Sequence, residues 1–248
     1  MSSLCLHDGA KLATLDQLRT LPRPEVLGAR HYPLPHYILR DTVVRSVEER
    51  GVRVLDERIA LTPDGKRYFG LLTLEPGSLS LPSDWTMAVG IRGSVDQAFA
   101  ESVCGGSQVF VCDNLAFSGE VKVARKNTMH CRRDLPGRVE TAIAQLLGQA
   151  DRMKRRYDGY RNSHFSDRAV DRTLMGLVRD KALPASKIPA ILGEFAEPSH
   201  QEHGHRTAWT FFNAVTEVLK GTNAERMVGR TISLHNHVDR EVVGISAG

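Results

Sequence analysis

The chain has 248 residues, 41% hydrophobic and 25% charged, with a formal net charge of +4. That excludes a disordered chain, collagen and a small disulfide scaffold, and the length allows a sizeable buried core. No apolar run approaches the roughly 18 residues of a membrane helix, and His7, Asp8 and Lys11 interrupt the N-terminus where a secretory leader would be apolar.

Residues 1–36 read as irregular, punctuated by Pro22, Pro24, Pro33 and Pro35. From Tyr37 the pattern turns helical, with Ile38, Leu39, Val43 and Val47 at spacings of three or four and Gly51 as the stop. Residues 53–61 alternate as a strand, with Val54, Asp56, Arg58 and Ala60 on one face. Pro63-Asp64-Gly65 turns the chain, and 68–74 returns as a second strand. A Ser- and Pro-rich loop precedes a third strand over 85–92. Ser94 is placed to cap a short helix over 95–103, which Cys104-Gly105-Gly106 breaks. Strands over 108–112 and 121–124 follow.

After Pro136, the residues Val139, Ile143, Leu146, Leu147, Ala150, Met153 and Tyr157 form one apolar stripe and predict a single helix over 137–160. Further helices are predicted over 167–182, 186–195 and 207–220, the last stopped by Gly221. Strands followed by helices argue an α+β fold, an antiparallel meander packed on the long helix. The expected organisation is an irregular segment 1–36, an α+β core 37–162 and a mainly helical region 163–248.

Charge is concentrated. Residues 122–161 hold eleven Lys or Arg against four Asp or Glu, a net +7, so the rest of the chain sums to −3. Arginine outnumbers lysine 25 to 8, and its planar fork suits bidentate phosphate contact. Lys122, Arg125, Lys126, Arg132, Arg133, Arg138, Arg152 and Arg156 are the candidate nucleic-acid contacts. The bland alternative is a solvated helix face.

Other chemistry is sparse. The sequence contains no GxxxxGK[ST], GxGxxG or HExxH pattern, which argues against a nucleotide-hydrolysing or dinucleotide-dependent enzyme. His200, His203 and His205 with Glu202 lack an established ligand spacing, so neither a metal nor a cofactor is expected. Cys5, Cys104, Cys112 and Cys131 show no CxxC spacing and read as structural thiols of a reduced, cytoplasmic protein. Asp113 and Asn114, in a turn after a strand, form a possible ligand site. Phe110 and Phe117 are candidate base-stacking platforms. Residues 182–195 match a helix-turn-helix poorly, because the second helix carries a single basic residue.

The stretch from Val109 to Glu120, VFVCDNLAFSGE, resembles an uncharacterised phage/plasmid-like family of bacterial, prophage and plasmid proteins. The run Lys122-Val123-Ala124-Arg125-Lys126-Asn127-Thr128 is similar to that family's next motif, with Asn127 where His is common. Further matching pieces are the helix before the hairpin, Arg67 to Gly70, Ala88 to Ser94 and Thr207 to Glu217, with Gly93 where Asn is usual. The resemblance covers nearly the whole chain and implies association with mobile elements, but no activity. The order of elements is also similar, at the level of topology, to ring-forming single-strand annealing proteins.

The expectation drawn from these readings is a non-enzymatic, sequence-tolerant DNA-binding protein. Single-stranded DNA is the favoured partner, bound by a homo-oligomer with no membrane contact. Two alternatives stay open. One is a metal-assisted enzyme on nucleic acid, using Asp113 or the histidines from His200 to His205. The other is a structural or host-interaction protein that touches no nucleic acid.

Overall fold

A computed structural model describes residues 9–76, 85–109, 114–200, 205–220 and 224–242, the side chains at 76, 108, 109, 114–122, 132 and 224–228 lying outside that description. The strands are β1 (Lys11–Ala13), β2 (Val52–Leu61), β3 (Arg67–Pro76), β4 (Trp85–Ser94), β5 (Glu101–Val109) and β6 (Asn114–Arg125). They form one antiparallel sheet in the order β1-β2-β3-β4-β5-β6. The helices among the described residues are α1 (Leu15–Arg19), α2 (His36–Glu48), α3 (Cys131–Gly148), α4 (Ala150–Asn162), α5 (Asp167–Arg179), α6 (Ile188–Ala196), α7 (Ala208–Val218) and α8 (Ala224–Glu241). The fold is α+β, as the element order predicts.

Local chemistry accounts for several elements. The β2–β3 turn closes where Thr62 Oγ1 donates to Asp64 Oδ1 (2.6 Å), which also accepts from the Lys66 amide (3.1 Å), while Gly65 adopts φ +67°. Ser166 and Thr207 cap α5 and α7 through their hydroxyls. Thr14 and Gln17 form a capping box on α1, so the segment predicted as irregular holds both β1 and α1. A bulge between Val54 and Asp56 interrupts the predicted alternation of β2 and leaves Leu55 49% exposed.

Three predicted elements differ in the structure, each for a tertiary reason. No helix forms over 95–103. Instead Ser94 Oγ donates to Asp96 and lies within 3.4 Å of the Phe99 amide, and β5 starts at Glu101 and pairs with β4. Cys104-Gly105-Gly106 therefore lies within β5, where a bulge opposite β6 absorbs the irregularity. A Cβ on Gly105 would meet Leu146 Cδ1 at 2.6 Å, so the missing side chain lets α3 approach the sheet. Residues 114–119, read as a turn, belong to β6, and 110–113 lie outside the described residues. The single helix predicted over 137–160 is two, divided at Gln149 (φ −94°, ψ −4°), and α3 begins before Pro136. The buried stripe nevertheless runs across the division through Leu146, Ala150, Met153 and Tyr157.

Register decides which sheet face is covered. Pairing of β4 with β5 sets Trp85, Val89, Ile91 and Gly93 on one side with Val103, Gly105 and Ser107. On that face His36 of α2 lies at Gly93, Leu146 of α3 at Gly105, and Tyr157 of α4 at Ser107 and Trp85. One apolar core runs from Ala10 to Val242, so the C-terminal helices join the sheet rather than forming a separate unit. Leu146 is fully buried, and Leu146→Ala is expected to lower unfolding free energy by about 2–5 kcal/mol in urea denaturation.

Candidate functional site

The most chemically loaded region is the connection from β6 to α3. Residues 126–130 form a tight turn in which the Thr128 amide donates to the Lys126 carbonyl (2.8 Å) and the Cys131 amide to the Thr128 carbonyl (2.9 Å). On its outer surface two arginines meet at one carboxylate. Arg125 Nη2 and Arg133 Nε reach the two oxygens of Asp134 (3.0 and 3.1 Å), and Lys126, the next residue after Arg125, is exposed. The hydrogen bond from Arg133, with the positive charges around it, holds the Asp134 carboxyl below its usual range. The Arg133 side chain is 76% exposed, so this ion pair leaves it open to a further partner.

Beneath the turn, Asn127 is buried and ties three parts of the chain together. Its Nδ2 donates to Glu101 Oε1 (2.8 Å) and to the Ser94 carbonyl (2.8 Å), and its Oδ1 accepts from the Leu34 amide (3.3 Å). Its backbone carbonyl accepts from the Tyr32 amide (3.0 Å). The side chain of one Asn thus fixes the N-terminal segment, the end of β4 and the start of β5 to a single point.

Glu101 is fully buried, with Oε1 also accepting from the Ser94 amide (3.2 Å) and Oε2 without a hydrogen-bond partner. The His36 ring is 3% exposed and lies beside the Gly65 and Lys66 backbone, but neither nitrogen makes a hydrogen bond of good geometry. A Cβ on Gly93 would meet Glu101 Oε2 at 2.6 Å and His36 Nδ1 at 2.8 Å, so carboxyl and imidazole approach each other over a bare Cα.

Burial sets both protonation states. It pushes Glu101 up to about 8 against the opposing hydrogen bonds from Asn127 and Ser94, and pushes His36 down to about 4. At neutral pH the pair is therefore uncharged. Burial also pushes the Cys131 thiol to about 11, so it stays protonated and unreactive, in keeping with a structural thiol.

The predicted contacts separate into groups. Arg125 and Arg133 come together on Asp134, and Lys126 is exposed in the adjoining turn. Arg138 and Arg152 are exposed farther along α3 and α4. Arg156 does not join them: its guanidinium faces inward, 3.1 Å from Asp239, with its side chain 12% exposed. The backbone of Lys122 lies in β6 and that of Arg132 in α3, with side chains outside the description. Phe110 and Asp113 lie outside the described residues, while Phe117 and Asn114 are strand residues of β6 opposite Gly106 and Val109.

Among the described residues no three His, Cys, Asp or Glu side chains are grouped to hold a metal; Glu202 and His203 lie outside them. His36, Glu101 and Tyr32 had no place among the predicted site residues. The available signal was Glu101 as a lone carboxylate within a run of small and apolar residues, legible only once 101–109 is read as a strand. Comparison with protein-family models, curated proteins and solved structures returns no match.

Proposed function

We propose that the protein binds single-stranded nucleic acid with little base preference, using the β6–α3 turn as its phosphate-contacting surface and acting without catalysis. The observation that carries this reading is the pairing of Arg125 and Arg133 with the single carboxylate of Asp134, at a turn that also carries the exposed Lys126. Two arginines on one carboxylate leave local positive charge, and a phosphate is a ligand that arginine forks accommodate bidentately. The exposed Arg138 and Arg152 extend the positive surface along α3 and α4.

The test is binding of a fluorescently labelled oligo-dT across a salt series. Three to five phosphate contacts on a single strand give a log–log slope of roughly −2 to −3.5. Substituting Lys126 and Arg133 together by Ala is expected to make that slope shallower by about 1.4, equally for oligo-dT and mixed-sequence strands. Both side chains are exposed, so the melting temperature should hold. Absence of wild-type binding at about 50 mM salt, where phosphate contacts are favoured, overturns the reading. Sizing with and without the oligonucleotide reports whether binding involves self-assembly.

A further inference from the structure

We propose that Tyr32 is a base-stacking residue, its ring taking an unpaired base of the strand whose phosphates lie on Lys126 and Arg133; this rests on the nucleic-acid reading above. The large aromatic rings Trp85, Trp209, Tyr157, Tyr160, Phe165, Phe211 and Phe212 are buried, whereas Tyr32 is 48% exposed. Tyr37 is the other exposed tyrosine, at 37%, and Tyr32 is the one whose backbone bonds the β6–α3 turn.

Its position is fixed rather than incidental. The Tyr32 amide bonds the Asn127 carbonyl (3.0 Å), and two residues later the Leu34 amide bonds the Asn127 side chain (3.3 Å). Tyr32 is thereby pinned next to the turn that carries Lys126. The preceding loop is closed by its own bonds, from the Leu27 amide to His31 Nδ1 (3.0 Å) and from the His31 amide to the Gly28 carbonyl (2.9 Å). Ordering the platform before the ligand arrives reduces the entropy lost on binding.

The chemistry around the ring selects a single strand as occupant. Met129, 60% exposed, belongs to the turn whose Asn127 carbonyl the Tyr32 amide bonds, so the turn offers apolar as well as charged surface. The same turn carries the exposed Lys126, and Arg133 is exposed in the first turn of α3 that follows it. Flat apolar faces alternating with anions are what an unpaired strand presents, and a base stacked on an aromatic ring needs no particular sequence. A duplex hides its base faces in the stack and offers phosphates, sugars and groove edges instead.

The test uses the full chain and oligo-dT, with Tyr32→Trp, Tyr32→Phe and Tyr32→Ala. Because Trp85 and Trp209 are buried, a tryptophan at position 32 reports directly. Its emission is expected to be quenched as oligo-dT is added, with the midpoint seen by the labelled strand. Tyr32→Ala should weaken binding about ten-fold with an unchanged salt slope, since a stack carries no counterion release, and Tyr32→Phe should stay within roughly two-fold of wild type. An unquenched Tyr32→Trp and a wild-type affinity in Tyr32→Ala, with the Lys126 and Arg133 double substitution still weakening binding, overturn the stacking role alone. No binding by wild type overturns this role together with the reading it rests on. Should Tyr32→Ala lower the melting temperature, quenching in Tyr32→Trp decides the matter.

Discussion

Replacing Glu101 by Gln is expected to stabilise the protein at about pH 8.5 by on the order of 2–4 kcal/mol and to change little near pH 4.5. Burial raises the Glu101 carboxyl to about 8 in the folded chain, against an ordinary value of 4.5. The unfolded chain therefore releases this proton first. Stability from this group is greatest below about 4.5, declines as pH rises and reaches its full penalty above about 8. Gln keeps the Oε1 acceptor used by Asn127 and Ser94 while removing the ionisation. His36 acts on the opposite limb. Its folded value of about 4 against 6.5 means that stability falls as pH drops from about 6.5 towards 4. Urea titrations at both pH values test this, and His36→Gln should flatten the acid limb. Equal stability of wild type and Glu101→Gln at pH 8.5 would show that the carboxyl is ionised and paired in the native state.

Arg156→Met is expected to cost about 3–5 kcal/mol in urea unfolding and to leave the salt slope of oligo-dT binding unchanged. Asp239 accepts from Arg156 (3.1 Å) and from the Tyr160 hydroxyl (2.5 Å), with 18% of its side chain exposed. Removing the guanidinium strands a mostly buried carboxylate, whose desolvation was offset by that charge. The Tyr160 hydroxyl donates to Asp239 and so accepts from His235 Nδ1 at 3.1 Å, which places the His235 proton on that nitrogen. Burial lowers His235 well below its ordinary value, keeping this network singly charged at each end of the Arg156–Asp239 pair. A variant as stable as wild type but with a shallower salt slope would make Arg156 a phosphate contact after all.

Position along the chain made Arg156 look like its neighbours. Periodicity puts it opposite the apolar stripe of Met153 and Tyr157, where an arginine reads as solvent-facing. Its partner comes from α8, which the sequence reading did not identify, and a distant carboxylate is invisible to a pattern that spans one or two helical turns. The same limit hid the site beneath Asn127. Its partners are brought together from the N-terminal segment, β4 and β5, and nothing local marks Glu101 as neutral.

The sequence by itself determined the elements whose signals are local. Apolar spacing defined α2, the Pro63-Asp64-Gly65 turn defined the hairpin of β2 and β3, and Ala208 to Leu219 defined α7. It also determined that the basic residues crowd between 122 and 161. Tertiary structure decided the rest. Gly105 reads as a breaker by its intrinsic freedom, yet it lies within β5 because Leu146 needs the space a side chain would take. Propensity weighs one residue against the unfolded chain, whereas the fold weighs it against everything packed around it. The same arithmetic separated two of the arginines: Arg156, whose partner lies on α8, turned inward, and Arg133, whose carboxylate is its chain neighbour, stayed at the surface.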